Sequence, residues 1–120
     1  MKTVTLKGER AFERAAHDGC RFGRGILQLR LTGNSLQINR IGIVIPQKAI
    51  RDAVDRNRVR RLIHEAYRSI AAELSTGNDI VVIVRAKPSI DKMSHVKEVI
   101  VDLFTQAGLL KNADNRNDLI

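Results

Sequence analysis

The chain has 120 residues and a formal net charge of +8, with 21 Lys or Arg, 13 Asp or Glu and a single cysteine, Cys20. The length suits one domain over residues 1–120, and one cysteine excludes a fold held by internal disulfides. The longest apolar run, residues 80–84, is too short for a membrane span, which needs about 20 residues, and no signal-peptide pattern begins the chain. We therefore expect a cytoplasmic protein whose positive charge binds a polyanion.

The first half of the chain reads as one helix followed by three strands. Helix-forming residues over 8–18, followed by Gly19, predict a short helix. Alternating apolar residues predict a strand over 26–31, and residues 32–35 have the composition of a turn. We expect a second strand over 36–39 and a more buried strand over 40–45, which Pro46 ends.

The second half changes to a helical period. Apolar residues at i, i+3 and i+4 spacing predict a helix over 52–74, and a β-branched run predicts a buried strand over 79–85. A last helix is expected over 93–107, and the tail 111–120 has little to bury and is expected to be disordered. The order α-β-β-β-α-β-α predicts an α+β fold, a two-layer sandwich of a four-stranded sheet and helices, with an ordered core over about 7–110.

No sequence motif indicates an active site that works alone. His17, His64 and His95 lie in three different segments, and none has a zinc-ligand spacing to another histidine or to Cys20. The chain also lacks a phosphate loop, a nucleophile elbow and a dinucleotide fingerprint. We therefore expect no catalytic residue and no metal bound by the protein alone.

The strongest signal is a row of basic residues along the predicted helix. On a helix Asn57, Arg61, His64 and Arg68 fall at i, i+4, i+7 and i+11 and form one stripe, which Arg60 flanks. The apolar face lies roughly opposite, so the stripe points away from the core. The arginines of this segment are Arg56, Arg58, Arg60, Arg61 and Arg68.

Arginine suits a sugar–phosphate backbone, because its planar guanidinium is always charged and binds phosphate oxygens through two hydrogen bonds. The alternative is an ordinary solvated helix face, which would carry interleaved acids. Only Asp52, Asp55 and Glu65 are available for such pairs, and Asp55 and Glu65 lie off the centre of the stripe.

The scarcity of aromatic residues indicates which kind of nucleic acid is bound. Tyr67 and Phe104 lie on apolar helix faces and are expected in the core, which leaves Phe12 and Phe22 for stacking. Single-strand binders of the OB or RRM type need more exposed rings than that. We expect backbone contacts to a folded nucleic acid, with one or two stacking sites at most.

The run from Arg40 to Arg68, RIGIVIPQKAIRDAVDRNRVRRLIHEAYR, closely resembles the protein subunit of bacterial ribonuclease P. The family has a strand of the type R-[IV]-G-[IL]-x-[IV], a basic turn and a helix motif R-N-R-x-[KR]-R. Residues 56–58 match R-N-R and residues 60–61 match the basic pair. The strand 79–85 followed by Ala-Lys-Pro is also similar to the family, and the resemblance covers about residues 7–110.

The resemblance implies a subunit of a tRNA-processing ribozyme. In this family a catalytic RNA with bound Mg²⁺ removes the 5′ leader of precursor tRNA, and the protein assists without chemistry of its own. The implied partners are ribonuclease P RNA, in 1:1 ratio, and precursor tRNA. The leader cleft is expected to hold Phe12, with Phe22 as the other candidate. The predicted RNA-binding residues are Lys48, Arg51, Arg56, Asn57, Arg58, Arg60, Arg61, His64 and Arg68.

The family also predicts the hand of the crossover between the strands 40–45 and 79–85. The general rule makes such parallel crossovers right-handed in about 98% of cases, whereas this family is known for the left-handed exception. We therefore expect a left-handed connection on the strength of the resemblance alone.

The chain departs from the family pattern at three positions. Gln47 stands where the family often has a first lysine, His64 where it usually has arginine, and Ala16 where it often has a second aromatic residue.

Two other functions stay open. A general RNA chaperone or ribosomal-type binder would be explained by charge alone, and a self-sufficient nuclease would need a carboxylate constellation that the sequence does not offer.

Overall fold

The computed structural model describes residues 4–6, 10, 13–14, 19–89 and 93–110. Its elements in chain order are β1 (Cys20–Arg24), β2 (Leu27–Gly33), β3 (Arg40–Val44), α1 (Ala53–Ile70), β4 (Asn78–Val84) and α2 (Val96–Gln106). A 3-10 turn over Ala71–Glu73 extends α1. Of the helix predicted over 8–18, Arg10, Glu13 and Arg14 are helical. The rest of that helix, and the predicted disorder of 111–120, lie outside the described residues.

The four strands form one sheet in the order β1-β2-β4-β3. β2 pairs antiparallel with both β1 and β4, and β3 pairs parallel with β4. The helix α1 therefore connects two neighbouring parallel strands as a crossover, as the pattern of the second half predicts. Both α1 and α2 contribute to the core on the same face of this sheet.

The main core lies between that face and the two helices. Because side chains alternate along a strand, Leu27, Leu29 and Leu31 all point into it and are buried. The apolar stripe of α1 packs into the same core, and its buried residues are Val59, Ile63, Ala66, Tyr67 and Ile70. The Tyr67 and Phe104 rings join α1 to α2 edge to face, with centroids 5.9 Å apart. The two core aromatics predicted from helix periodicity are confirmed.

The strand predicted over 36–39 is wrong. That segment is a loop, in which Leu36 and Ile38 are both 44% exposed. The Asn34 side chain organises the loop, because its Oδ1 accepts from the Leu36 amide at 2.8 Å and its Nδ2 donates to the Ile38 carbonyl at 3.1 Å. Such local side-chain bonds compete with strand pairing. The fourth strand is instead β1, whose residues are mostly exposed and show no apolar alternation.

One buried ion pair connects the starts of β3 and β4. Asp79 has no exposed surface, and its carboxylate accepts hydrogen bonds from Arg40 Nε at 2.7 Å and Nη2 at 2.8 Å. Asn34 Nδ2 donates a third bond at 3.0 Å. Burial alone would raise the pKa of Asp79, but the bonds from Arg40 and Asn34 outweigh it and hold that pKa below its usual value.

Candidate nucleic-acid interface

The basic helix α1 begins at a well-formed N-terminal cap. Asp52 has extended backbone geometry, and its side chain accepts a hydrogen bond from the Val54 amide at 2.8 Å. An aspartate here also interacts favourably with the positive end of the helix dipole. The cap fixes where the helical period starts, and thereby which face each arginine occupies.

The three residues of the R-N-R motif point in three directions. Arg56 turns back toward the preceding loop, where its Nη1 donates to the carbonyls of Ile50 at 2.9 Å and Arg51 at 2.8 Å. Arg56 is half-buried, and these two hydrogen bonds stabilise the turn before the helix. Asn57 and Arg58 are both exposed but line different grooves on opposite flanks of α1.

Arg60 connects the helix to the sheet. Its Nη1 donates to the carbonyl of Ile43 in β3 at 2.9 Å, and the residue is half-buried. Since one guanidinium has five N–H donors, this contact leaves donors that can face a ligand. Arg60 therefore supports the position of α1 and also adds charge to its surface.

A groove beside α1 brings the predicted stripe together. The groove has a volume of about 420 Å³ and we call it the basic groove; its lining residues are Thr5, Asn57, Arg60, Arg61, His64 and Arg68. All four members of the stripe predicted from helical spacing lie in it, with Arg60 beside them. The far wall is the segment around Thr5, which pairs with Ile41 at the edge of β3. This segment carries no sequence signal that would have placed it here.

His64 lies half-buried between two arginines of the basic groove. Burial lowers its pKa first, and the charges of Arg60 and Arg68 lower it further. The imidazole is therefore neutral near pH 7, with one nitrogen that donates and one that accepts a hydrogen bond. An arginine at this position, which the resemblance described above leads us to expect, would carry a permanent charge.

The other flank of α1 forms a second groove around Arg58. Its lining residues are Asp55, Arg58, Lys87, Pro88, Ser89 and Met93. Lys87 Nζ lies 2.8 Å from Asp55 Oδ2 in an exposed ion pair. Arg58 is thus separated from the stripe, and the helix presents positive charge on both flanks. Lys87 was not among the predicted binding residues, although it belongs to the Ala-Lys-Pro segment that resembles the family.

The remaining predicted residues lie away from the basic groove. Lys48 and Arg51 are exposed and form a separate small pocket with Gln47, ahead of α1. Phe22 lies on β1 opposite Leu29 and packs against the main core, so the structure does not bring it to the groove. Phe12 falls outside the described residues.

Metal clusters and membrane-spanning helices would indicate other classes of function. Within the described ranges, no three His, Cys, Asp or Glu side chains lie close enough together to hold a metal ion. Among the helices of those same residues, none is long and apolar enough to cross a membrane.

Comparison with known proteins points to one family. The Ribonuclease P family profile matches residues 1–108. The ribonuclease P protein component of Clostridium acetobutylicum is 35% identical over 112 residues, which cover 92% of this chain and 93% of that protein. The corresponding protein of Caldanaerobacter subterraneus is 31% identical and covers 94% and 97% of the two chains.

Solved structures agree with the sequence comparison. The RNase P protein of Staphylococcus aureus superposes with a TM-score of 0.79 at 22% identity, over 92% of this chain and all of that one. The RNase P protein of Thermotoga maritima gives a TM-score of 0.74 at 26% identity, over 85% and 96%. The order of the elements and the hand of the β3–α1–β4 crossover are consistent with these structures. With a profile match over nearly its whole length, the chain belongs to the ribonuclease P protein family.

Proposed function

We propose that this protein is the protein subunit of ribonuclease P and acts in the cytoplasm, where it assists removal of the 5′ leader from precursor tRNA. The observation that carries the proposal is the basic groove, in which an asparagine, three arginines and a histidine line one surface. Family membership supplies the identity of the complex, and the groove supplies a surface that fits an RNA backbone. In this proposal the protein binds catalytic RNA in 1:1 ratio and also contacts the leader.

The roles of the groove residues follow from their exposure. Asn57, Arg61 and Arg68 are exposed and free to reach phosphate and ribose oxygens. Arg60, through its bond to Ile43, keeps α1 at a fixed distance from the sheet while its remaining donors face the groove. Because that bond restrains Arg60, a contact from Arg60 to RNA costs less conformational entropy than one from a mobile side chain.

Mg²⁺ is assigned to the RNA partner in this proposal. It would supply the charge stabilisation that hydrolysis of a phosphodiester requires, and the phosphate oxygens of RNA are ligands of the kind that Mg²⁺ prefers. The protein contributes positive charge that neutralises phosphates where RNA and substrate meet. Such neutralisation lowers the Mg²⁺ concentration that the complex needs, because protein cations replace counterions.

The test is cleavage of precursor tRNA by cognate catalytic RNA at low Mg²⁺, with and without the purified protein. We expect strong stimulation of 5′ cleavage by the protein, and no cleavage by the protein with Mg²⁺ alone. Absence of stimulation would refute the proposal. A competition with unrelated structured RNA separates it from a general RNA chaperone, which would show no preference for the catalytic RNA.

A further inference from the structure

The start of the chain is attached to the sheet face turned away from α1 and α2. Side chains alternate along β4, so Asp79 and Val81 point away from the main core. Leu6 packs with Val81 in a second, smaller core on that face, and both are buried. The Leu6 amide also donates to the Ile41 carbonyl of β3 at 2.8 Å. Leu6 is therefore a firm, apolar point of attachment.

A second contact with the sheet follows further along the chain, at Arg14. Arg14 belongs to the helix predicted over 8–18, which we call the N-terminal helix. Its Nη2 donates to the Gly33 carbonyl at the end of β2 at 3.3 Å and lies 3.7 Å from Asp79 Oδ2. Gly33 is paired with Asn78, the residue before Asp79. Both acceptors thus belong to one corner of the sheet, where β2 ends and β4 begins.

This corner is preorganised to accept a cation. Asp79 is completely buried, and its Oδ1 accepts from both Arg40 and Asn34. Its Oδ2 accepts from Arg40 Nη2, which leaves that oxygen a lone pair for Arg14. The Asn34 amide donates to the Gly77 carbonyl at 2.9 Å and so holds the end of β2 in place. Burial raises the pKa of the carboxyl, whereas its hydrogen bonds and the charges of Arg40 and Arg14 lower it.

The two attachments differ in strength. Leu6 is 2% exposed, whereas the Arg14 side chain is 49% exposed and its ion pair is weakened by water. The segment between them includes Phe12, the residue that the resemblance assigns to the leader cleft. Because a helix moves as a unit, a contact at Arg14 restrains the whole N-terminal helix relative to the sheet.

We propose that Asp79 and Arg14 are positioning residues for leader binding: the buried carboxylate holds Arg14, and Arg14 holds the N-terminal helix at the corner of β2 and β4. Neither side chain needs to touch RNA for this role. The inference rests on the proposed function, in which the protein contacts the leader. A restrained helix loses less conformational entropy when the leader binds than an unrestrained one. Losing the contact should therefore weaken leader binding and leave the basic groove unchanged.

The experiment is a double-mutant cycle on the assembled holoenzyme. Arg14→Gln, Asp79→Asn and the double variant are compared with wild type for affinity toward precursor tRNA and toward mature tRNA. The matched control is Arg10→Gln, alone and combined with Asp79→Asn, since Arg10 lies one turn earlier on the same helix. Circular dichroism confirms that each variant is folded.

We expect Arg14→Gln to lower the affinity for precursor tRNA by about twofold to fivefold, the size expected of a partly exposed ion pair. In the Asp79→Asn background the same change should cost little, because coupled residues are not additive. Arg10→Gln should have one effect, whatever its size, in both backgrounds. An equal loss for Arg14→Gln in both backgrounds, no loss in wild type, or an equal loss for mature tRNA would overturn the inference.

A second measurement decides the matter if Asp79→Asn fails to fold. The affinity of wild type and Arg14→Gln for precursor tRNA is followed over a salt series. A positioning role leaves the slope of log K against log salt concentration unchanged. A fall of about one unit would show that Arg14 itself binds a phosphate and would overturn the inference. Stimulation of cleavage by the wild-type protein in the same assays keeps the proposed function standing in that event.

Discussion

At the scale of single residues, the basic groove separates side chains that hold the fold from side chains that can bind RNA. Arg56 and Arg60 each donate to main-chain carbonyls of neighbouring segments. Arg61 has no such bond among the described contacts and is exposed. The helical period predicted that Asn57, Arg61, His64 and Arg68 share one face, but it could not tell that Arg56 turns away, because that depends on the loop before α1.

Replacing Arg61 by Ala should weaken RNA binding nearly equally for all leader sequences, because a phosphate contact carries no base specificity. The slope of log K against log salt concentration should fall by about one unit. Binding isotherms over a salt series measure this, and Arg61→Lys should retain most of the slope. An unchanged slope in Arg61→Ala would show that Arg61 binds no phosphate.

His64 should make RNA binding depend on pH. In the free protein burial and two arginines lower its pKa, and a bound phosphate would offset that positive charge and raise it again. Because the complex then binds the proton more tightly, RNA affinity should rise as pH falls from about 7.5 to about 5.5. His64→Gln should flatten this dependence while Arg61→Gln retains it. An equally steep profile in His64→Gln would assign the titration to another group.

At the scale of elements, the least predictable parts are the loop over 34–39 and strand β1. Apolar alternation identified β2, and continuous apolar runs identified β3 and β4, each to within two residues, because their side chains face a core. β1 lies at the sheet edge with both faces largely exposed, so burial imposes no pattern on its sequence. Leu36 and Ile38 imitate strand alternation, but the bonds made by Asn34 fold that segment into a loop.

The ion pair between β3 and β4 makes an acid-sensitive junction. The pKa of Asp79 in the folded state lies below its ordinary value. Its contribution to stability is therefore present above the ordinary pKa of aspartate and is lost as pH falls through the lowered folded value. Replacing Arg40 by Met removes both guanidinium hydrogen bonds and leaves the buried Asp79 with Asn34 and the more distant Arg14, which should cost about 3 kcal/mol at pH 7. Urea unfolding at pH 7 and in acid measures it, and the difference between wild type and variant should shrink in acid.

At the scale of the whole molecule, positive charge and apolar core occupy separate layers. Residues 40–68 carry eight Lys or Arg against three Asp or Glu, whereas residues 69–120 carry six against seven. The helices that cover the core therefore differ, since α1 is basic on its outer surface and α2 is not. The excess charge that composition alone reveals lies entirely within residues 1–68, most densely in the unit formed by β3 and α1.

The packing of α1 against α2 should control the stability of the whole molecule. Phe104 is completely buried and meets Tyr67 edge to face. Replacing Phe104 by Ala should lower the free energy of unfolding by about 3–5 kcal/mol. Denaturant unfolding followed by circular dichroism measures the loss. Phe104→Leu, which retains most of the volume, should cost less, and equal losses would show that the ring itself is required.

The bond from Arg60 to Ile43 has a consequence for self-association. β3 is an edge strand, and exposed edges template pairing between copies of a chain. Here the Ile41 amide and carbonyl bond to Val4 and Leu6, and Arg60 occupies the Ile43 carbonyl. The Arg60 side chain, which lines the basic groove, thus also blocks a main-chain acceptor that a second molecule could use. Substitutions at Arg60 would expose that acceptor and should favour aggregation. A loss of precursor-tRNA cleavage in such variants would therefore have two causes, weaker RNA binding and self-association.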